Sequence, residues 1–304
     1  MTNKTIHRFQ PHLKHGLLII ALLVGAHAPA SWAAEIDVYL LAGQSNMQGL
    51  GSSLDVADEV PEPIPNAFSV WRGQANPLSL KPNKPGQKKS FGPEIGFALE
   101  MATPERPVYL IKYAASGMPL HPGWDGNTWR GTEQLTSGKN FYPGTGPDDE
   151  NRGTLYVTMM EQFTSGLDAL RKNGDTPVIR GMVWMQGEQD SKHEQSASTY
   201  ANSLRQLRAR VAEDLGLKPA ALPFAFGLVL PKGGGKKFVG VEIIHQQMRA
   251  ADQDSGAPEA IPSCKLVDTT GFSMRNDNVH FDSAGQIALG RGLAQAIREL
   301  NASK

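Results

Sequence analysis

Five apolar runs punctuate the chain: IDVYLLA over residues 36–42, PVYLIKYAA over 107–115, PVIRGMVWM over 177–185, PFAFGLVL over 223–230 and KLVD over 265–268. The first four are nearly continuous rather than alternating, which is the pattern of strands covered on both faces of a parallel sheet. The segments between and after them carry helical periodicity. Tyr200, Leu204, Leu207, Val211 and Leu215 step by four, three, four and four, and so share one face. Tyr156, Met159, Met160, Phe163, Leu167 and Leu170 do the same, and Leu289, Leu293, Ile297 and Leu300 predict a C-terminal helix that Asp282 or Ser283 caps. Alternation of strands and helices in this order predicts an α/β fold, a parallel sheet doubly wound with helices on both faces.

Two stretches break the rhythm. Residues 52–91, rich in Pro, Asn, Lys and Gly, predict a long surface excursion, and residues 118–153 a second long loop. Aperiodic loops of this length are usually functional or disordered. Trp124, Trp129, Phe141 and Tyr142 interleave the second one, and disordered segments lack such aromatics.

The N-terminal pattern is different again. Lys4, Arg8 and Lys14 precede GLLIIALLVGA, and small residues follow up to Ser31-Trp32-Ala33. Basic flank, short apolar core and small-x-small site together predict a signal peptide over residues 1–33, with residues 34–304 as a single domain. The expected location is secreted or periplasmic, with no membrane attachment after cleavage because no later segment is apolar enough to span.

Composition narrows the function. The 304 residues carry 30 basic and 30 acidic side chains, which argues against a nucleic-acid partner or a polybasic membrane adaptor. Cys264 is the single cysteine, so no internal disulfide and no cysteine-based metal site is expected. The eight histidines are scattered with no pair at ligand spacing, and no metal is expected. PKGGGKK at 231–237 lacks the spacing of a phosphate loop and predicts a flexible turn. His245 is expected on an exposed helix face, and His121, beside Trp124, in the cleft.

In open parallel sheets, ligands bind beyond the carboxyl ends of the strands. The polar residues of this chain fall there: GQSNM after the first run, ASGMPL after the second, QGEQD after the third and NDNVHF after the fifth. If these loops meet on one rim, they supply what acyl transfer requires. Ser45 is the candidate nucleophile and His280 the base that takes its proton, imidazole titrating near neutral pH. Asp277, three residues earlier, reaches the Nδ1 side of that ring to fix its tautomer. Candidate oxyanion donors are the backbone N–H of Ser45, the backbone N–H of Gly117 and the side-chain amide of Gln186. Asn46 and Glu188 are expected to support these loops rather than touch substrate, Asp190 has no assigned role, and Trp124 and Trp129 are the candidate substrate-binding residues.

GQSNM, WMQGEQD and DNVHFDSAGQIALG, in that order, resemble the motifs of the SGNH-hydrolase superfamily, and within it the sialate O-acetylesterase-like group that includes carbohydrate esterase family six. The resemblance implies a three-layer α/β/α sandwich with a five-stranded parallel flavodoxin-like sheet. It implies Ser45, His280 and Asp277 as the triad and Gln186 as the oxyanion side chain, with no cofactor. Where the family usually shows two glycines, this chain has Ser116-Gly117. The implied activity is removal of acetyl groups from an acetylated carbohydrate such as sialic acid or xylan, with Trp124 and Trp129 as the expected platform for its sugar ring. The rivals are a general short-chain esterase or lipase of the same superfamily and a non-catalytic sugar-binding relative.

Overall fold

The computed structural model describes residues 1–2, 34–56, 59–80, 90–132 and 137–302. The expected signal peptide therefore lies almost wholly outside the described residues. Contacts group Met1–Trp32 as one unit and Ala33–Lys304 as another, and the second carries the fold.

Each apolar run becomes a strand. In chain order the elements are β1 (Glu35–Gly43), the one-turn helix α1 (Ser45–Gln48), β2 (Ala67–Trp71), β3 (Gln74–Pro77), α2 (Glu94–Met101), β4 (Val108–Ala114), β5 (Trp124–Asp125), β6 (Thr128–Trp129) and α3 (Thr154–Lys172). There follow β7 (Thr176–Met185), α4 (Glu194–Ser198), α5 (Tyr200–Asp214), β8 (Phe224–Gly227), α6 (Val241–Ala251), β9 (Cys264–Val267) and α7 (Ser283–Ala302).

The main sheet has seven strands in the order β3-β2-β4-β1-β7-β8-β9, and every pair but β2–β3 is parallel. The strands expected from sequence occupy the order 2-1-3-4-5 of a flavodoxin-like sheet. The two additional strands come from within the segment expected to be a surface excursion. They form an edge hairpin around Arg72 and Gly73, at φ 49° and 77°, and β2 pairs with β4. Two successive left-handed residues match the twist of such a hairpin. Among the described residues the main sheet thus has seven strands rather than five.

Before β4 the chain passes through α2, which packs on β4, and after it through α3, which packs on β4 and β7. The final helix, α7, returns beside α2 and packs on β7, β8 and β9. Its first turn is capped by Asp282, whose Oδ1 accepts the Gly285 N–H at 2.9 Å. The α2–α7 crossing is a backbone-to-backbone contact: a Cβ on Gly290 would stand 2.1 Å from the Pro93 carbonyl, and one on Gly96 2.1 Å from that of Ile287. Residues 118–132 and 137–153 pack as a cap in which Leu120, Phe141 and Tyr142 are buried, with β5 and β6 as a small hairpin. At the opposite end of the sheet from that cap, buried Asp37 binds both Arg106 and Arg180. Cys264 is buried in β9, and burial pushes its thiol up to about 12.

Candidate active site

The turn that carries Ser45 follows from one glycine. Gly43 sits at φ 151°, and a Cβ there would lie 2.0 Å from the Met185 carbonyl at the end of β7. That carbonyl accepts the Gln44 N–H at 2.9 Å, so β1 stops and α1 begins with Ser45. The residue before the helix, Gln44, makes no side-chain capping bond, which leaves the first-turn amides of α1 unpartnered by it. Gly43 is level with Ala114 and with Met185 in the sheet register, and Ala115 donates its N–H to the Gly43 carbonyl. Three post-strand loops therefore leave the sheet at the same height.

The fourth loop arrives from β9. Asp277 organises it: Oδ1 accepts the backbone N–H groups of Val279 and His280, each at 2.9 Å, and Oδ2 pairs with His280 Nδ1 at 2.8 Å. Partial burial works to raise the Asp277 carboxyl, but the bonds from the His280 ring and the two backbone amides outweigh it and hold it at about 2. An ionised Asp277 places the proton on Nδ1 and leaves Nε2 free as a base.

Asn46 joins the two halves. Its Nδ2 donates to Glu188 Oε1 at 2.7 Å and to the Val279 carbonyl at 2.9 Å, and its Oδ1 accepts the Phe281 N–H at 3.0 Å. One side chain beside Ser45 thus grips both residues that flank His280. A Cβ on Gly51 would fall 2.9 Å from the His280 Cβ, so the chain leaving α1 runs against the histidine as well. Glu188 is buried, and burial raises its carboxyl, opposed by Asn46 and His280.

Gly117 has φ 68°, and a Cβ there would meet only Asn127 Oδ1, at 3.8 Å. Backbone handedness, not crowding by the protein, demands glycine here. Its N–H and that of Ser45 belong to loops joined at Ala115 and Gly43.

Gln186 is a correction. The residue is completely buried, and its Nε2 donates to the Met118 carbonyl at 3.1 Å and to Asp190 Oδ2 at 2.6 Å. Its Oε1 accepts the Tyr200 hydroxyl at 3.0 Å. Both amide hydrogens are committed, so the side chain has none to offer an oxyanion. Flipping the amide would set its oxygen against a carbonyl and a carboxylate, so the assignment is fixed by the network.

Trp124 is the second correction. It is 5% exposed and its indole N–H donates to Ser196 Oγ at 3.0 Å, so it is a buried anchor rather than a sugar platform. Trp129 is half-buried and stacked on His193 at 3.8 Å between ring centroids, with His121 at 5.3 Å. His121 is itself buried, which together with His193 pushes it down to about 4, and its Nδ1 accepts the Gly123 N–H. His245 departs from its expected exposure, its Nε2 lying 2.7 Å from the Val229 carbonyl.

Sequence reasoning left out Asp190, which is fully buried and accepts the backbone N–H groups of Leu120 and His121, each at 2.9 Å. Burial raises its carboxyl to about 6 against those bonds. The available signal was its spacing of four residues from Gln186 on a rim loop. Lys192 was also missed; its Nζ donates to Gln189 Oε1 at 2.6 Å. Among the described residues, no three His, Cys, Asp or Glu side chains gather as metal ligands, and no helix is long and apolar enough to cross a membrane.

The chain is similar to several known proteins. The chain is 24% identical over 280 residues to the protein of Arabidopsis thaliana named "Probable carbohydrate esterase At4g34215", covering 86% of this chain and 89% of that one. The crystal structure of that plant protein superposes with a TM-score of 0.61 at 20% identity, over 86% of this chain and 98% of the other. NanS superposes with a TM-score of 0.59 at 16% identity, over 90% and 99% of the two chains. A carbohydrate acetylesterase from Xanthomonas citri gives 0.55 at 18% identity, over 88% of this chain and 57% of that one. The family model for carbohydrate esterases described as sialic acid-specific acetylesterases matches residues 35–299. The chain belongs to that family of carboxylic ester hydrolases, the carbohydrate acetylesterases.

Proposed function

We propose that the chain removes O-acetyl groups from carbohydrates through an acyl-enzyme on Ser45. The observation that carries this reading is the Asp277–His280 pair, held against the Ser45 turn by the three bonds of Asn46. His280 Nε2 takes the Ser45 proton as Oγ attacks the acetyl carbonyl, and Asp277 stabilises the imidazolium. The backbone N–H groups of Ser45 and Gly117 receive the negative charge on the carbonyl oxygen. His280 then gives its proton to the departing sugar hydroxyl, and water releases acetate by the same steps in reverse.

The favoured substrate is an acetylated sugar that also bears a carboxylate. Lys192, on the loop after β7, and Lys237, on the loop after β8, both approach the Phe238 ring, at 5.8 and 5.1 Å. Burial lowers the Lys192 ammonium, and so does the neighbouring charge of Lys237. Two cations that repel each other at the rim are relieved by an anionic ligand between them.

The test is acetate release from acetylated sialic acid, xylan and pectin fragments, with Ser45→Ala as control. Wild type is expected to release acetate and to be labelled by a fluorophosphonate, and Ser45→Ala to do neither. Equal rates on butyryl and longer aryl esters would favour the general esterase instead. Lys192→Ala with Lys237→Ala is expected to raise KM on acidic sugar acetates about tenfold or more while sparing neutral ones.

A further inference from the structure

We infer that Asp190 is a positioning residue that sets the oxyanion donor of Gly117, with Gln186 as its relay. The residues immediately after Gly117 are fixed from below at three points: the Met118 carbonyl by Gln186 Nε2, and the Leu120 and His121 N–H groups by the two Asp190 oxygens. Gln186 also donates to Asp190 Oδ2, so a single carboxylate collects three donors. Every polar atom of the relay is engaged. Tyr200 donates its hydroxyl to the Gln186 carbonyl and Oε1, and accepts the Trp184 indole N–H at 3.2 Å. The Asp190 carbonyl accepts the Ser196 hydroxyl at 2.6 Å, and Ser196 holds Trp124, so the cap loop is tied to Asp190 through a second route.

The geometry excludes the simpler assignment, in which the glutamine itself contacts the oxyanion. It also explains why an acid stands in a fully buried place where an amide would fill the same volume. A carboxylate accepts on both oxygens, whereas an asparagine would turn a donor toward Leu120, His121 or Gln186. An oxyanion donor displaced by a fraction of an ångström loses most of its effect, because catalysis depends on preorganised distance. The assignment rests on the serine esterase reading above.

The experiment compares wild type, Asp190→Asn, Gln186→Leu and the double variant, with kcat expressed per site titrated by a fluorophosphonate. Asp190→Asn is expected to lower kcat about a hundredfold with KM changed less than threefold. Gln186→Leu should lose no more than that, and the double variant no more than the larger of the two single losses. Unchanged kcat per titrated site in Asp190→Asn would reduce Asp190 to a purely structural role and overturn the proposal. So would a further tenfold loss in Gln186→Leu, which would return the glutamine to the oxyanion.

Hydrogen exchange on the wild-type protein supplies a check that needs no variant to fold. The Leu120 and His121 amides should exchange as slowly as those of β1, and exchange at the rate of an open loop would overturn the proposal. That measurement is independent of Ser45. Failure of Ser45→Ala to abolish activity would count against the esterase reading alone.

Discussion

At the level of single residues, the candidate site is a set of side chains with more than one bond each. Asp277 binds a ring nitrogen and two backbone amides, so replacing it with asparagine alters both tautomer and loop. Asp277→Asn is expected to lower kcat on the order of a thousandfold or more, read by acetate release at saturating substrate. Asn46→Ala removes three bonds and leaves Glu188 buried without its partner. It should cost roughly 3 kcal/mol of stability in urea unfolding. The two aspartates titrate in opposite senses. Asp277, lowered to about 2, stabilises the fold above pH 4, and that contribution fades as pH falls from 4 toward 2. Asp190, raised from 3.8 to about 6, binds its proton more tightly folded than unfolded, so its contribution falls as pH rises from 4 through 6. Unfolding free energy of wild type minus that of Asp190→Asn should therefore decline across that window, by roughly 3 kcal/mol for a shift of this size.

Among the elements, what matters is how closely they approach. The α2–α7 crossing leaves no room for a side chain at Gly290, where a Cβ would meet the Pro93 carbonyl at 2.1 Å. Gly290→Ala must push the helices apart, and about 1–3 kcal/mol is expected from overpacking of this kind. Because α7 begins two residues after Phe281, its displacement should also reduce kcat, seen as a loss of activity per titrated site in addition to a lower Tm. The long strands were legible because β1 and the buried second half of β7 read as nearly continuous apolar runs. β2 and β3 were not, since each is short and only partly buried, and β3 consists of Gln, Ala, Asn and Pro. Arg72-Gly73 was the one local cue, and only the positive φ values reveal its meaning.

Across the whole molecule, chemistry and anchorage lie at opposite ends of the sheet. Asp37, on β1 near its start, draws Arg106 and Arg180 together across neighbouring strands, far along β1 from Gly43. Asp37→Asn is expected to lower Tm by several degrees with kcat/KM within about twofold, since it breaks buried charge pairing remote from the rim. This separation also explains what sequence could reveal of the site. Ser45, Asp277 and His280 stand out by residue type for the proposed acyl transfer, and a rim shared by strand ends is a consequence of topology. The roles of Gln186, Asp190 and Trp124 depend instead on which backbone atoms reach them from some seventy residues away, as Leu120 reaches Asp190 and Trp124 reaches Ser196. No local pattern encodes such a meeting, so a glutamine expected to donate and a tryptophan expected to stack turn out to be internal struts.

The thiol of Cys264, sealed within β9, turns the protein into its own unfolding clock. A maleimide or disulfide reagent has no other sulfhydryl to modify, so its rate of incorporation counts the moments at which β9, an edge strand of the sheet, opens. The same chemistry frees folding from any dependence on a cell's oxidants, and one preparation with and without reductant should melt at the same temperature.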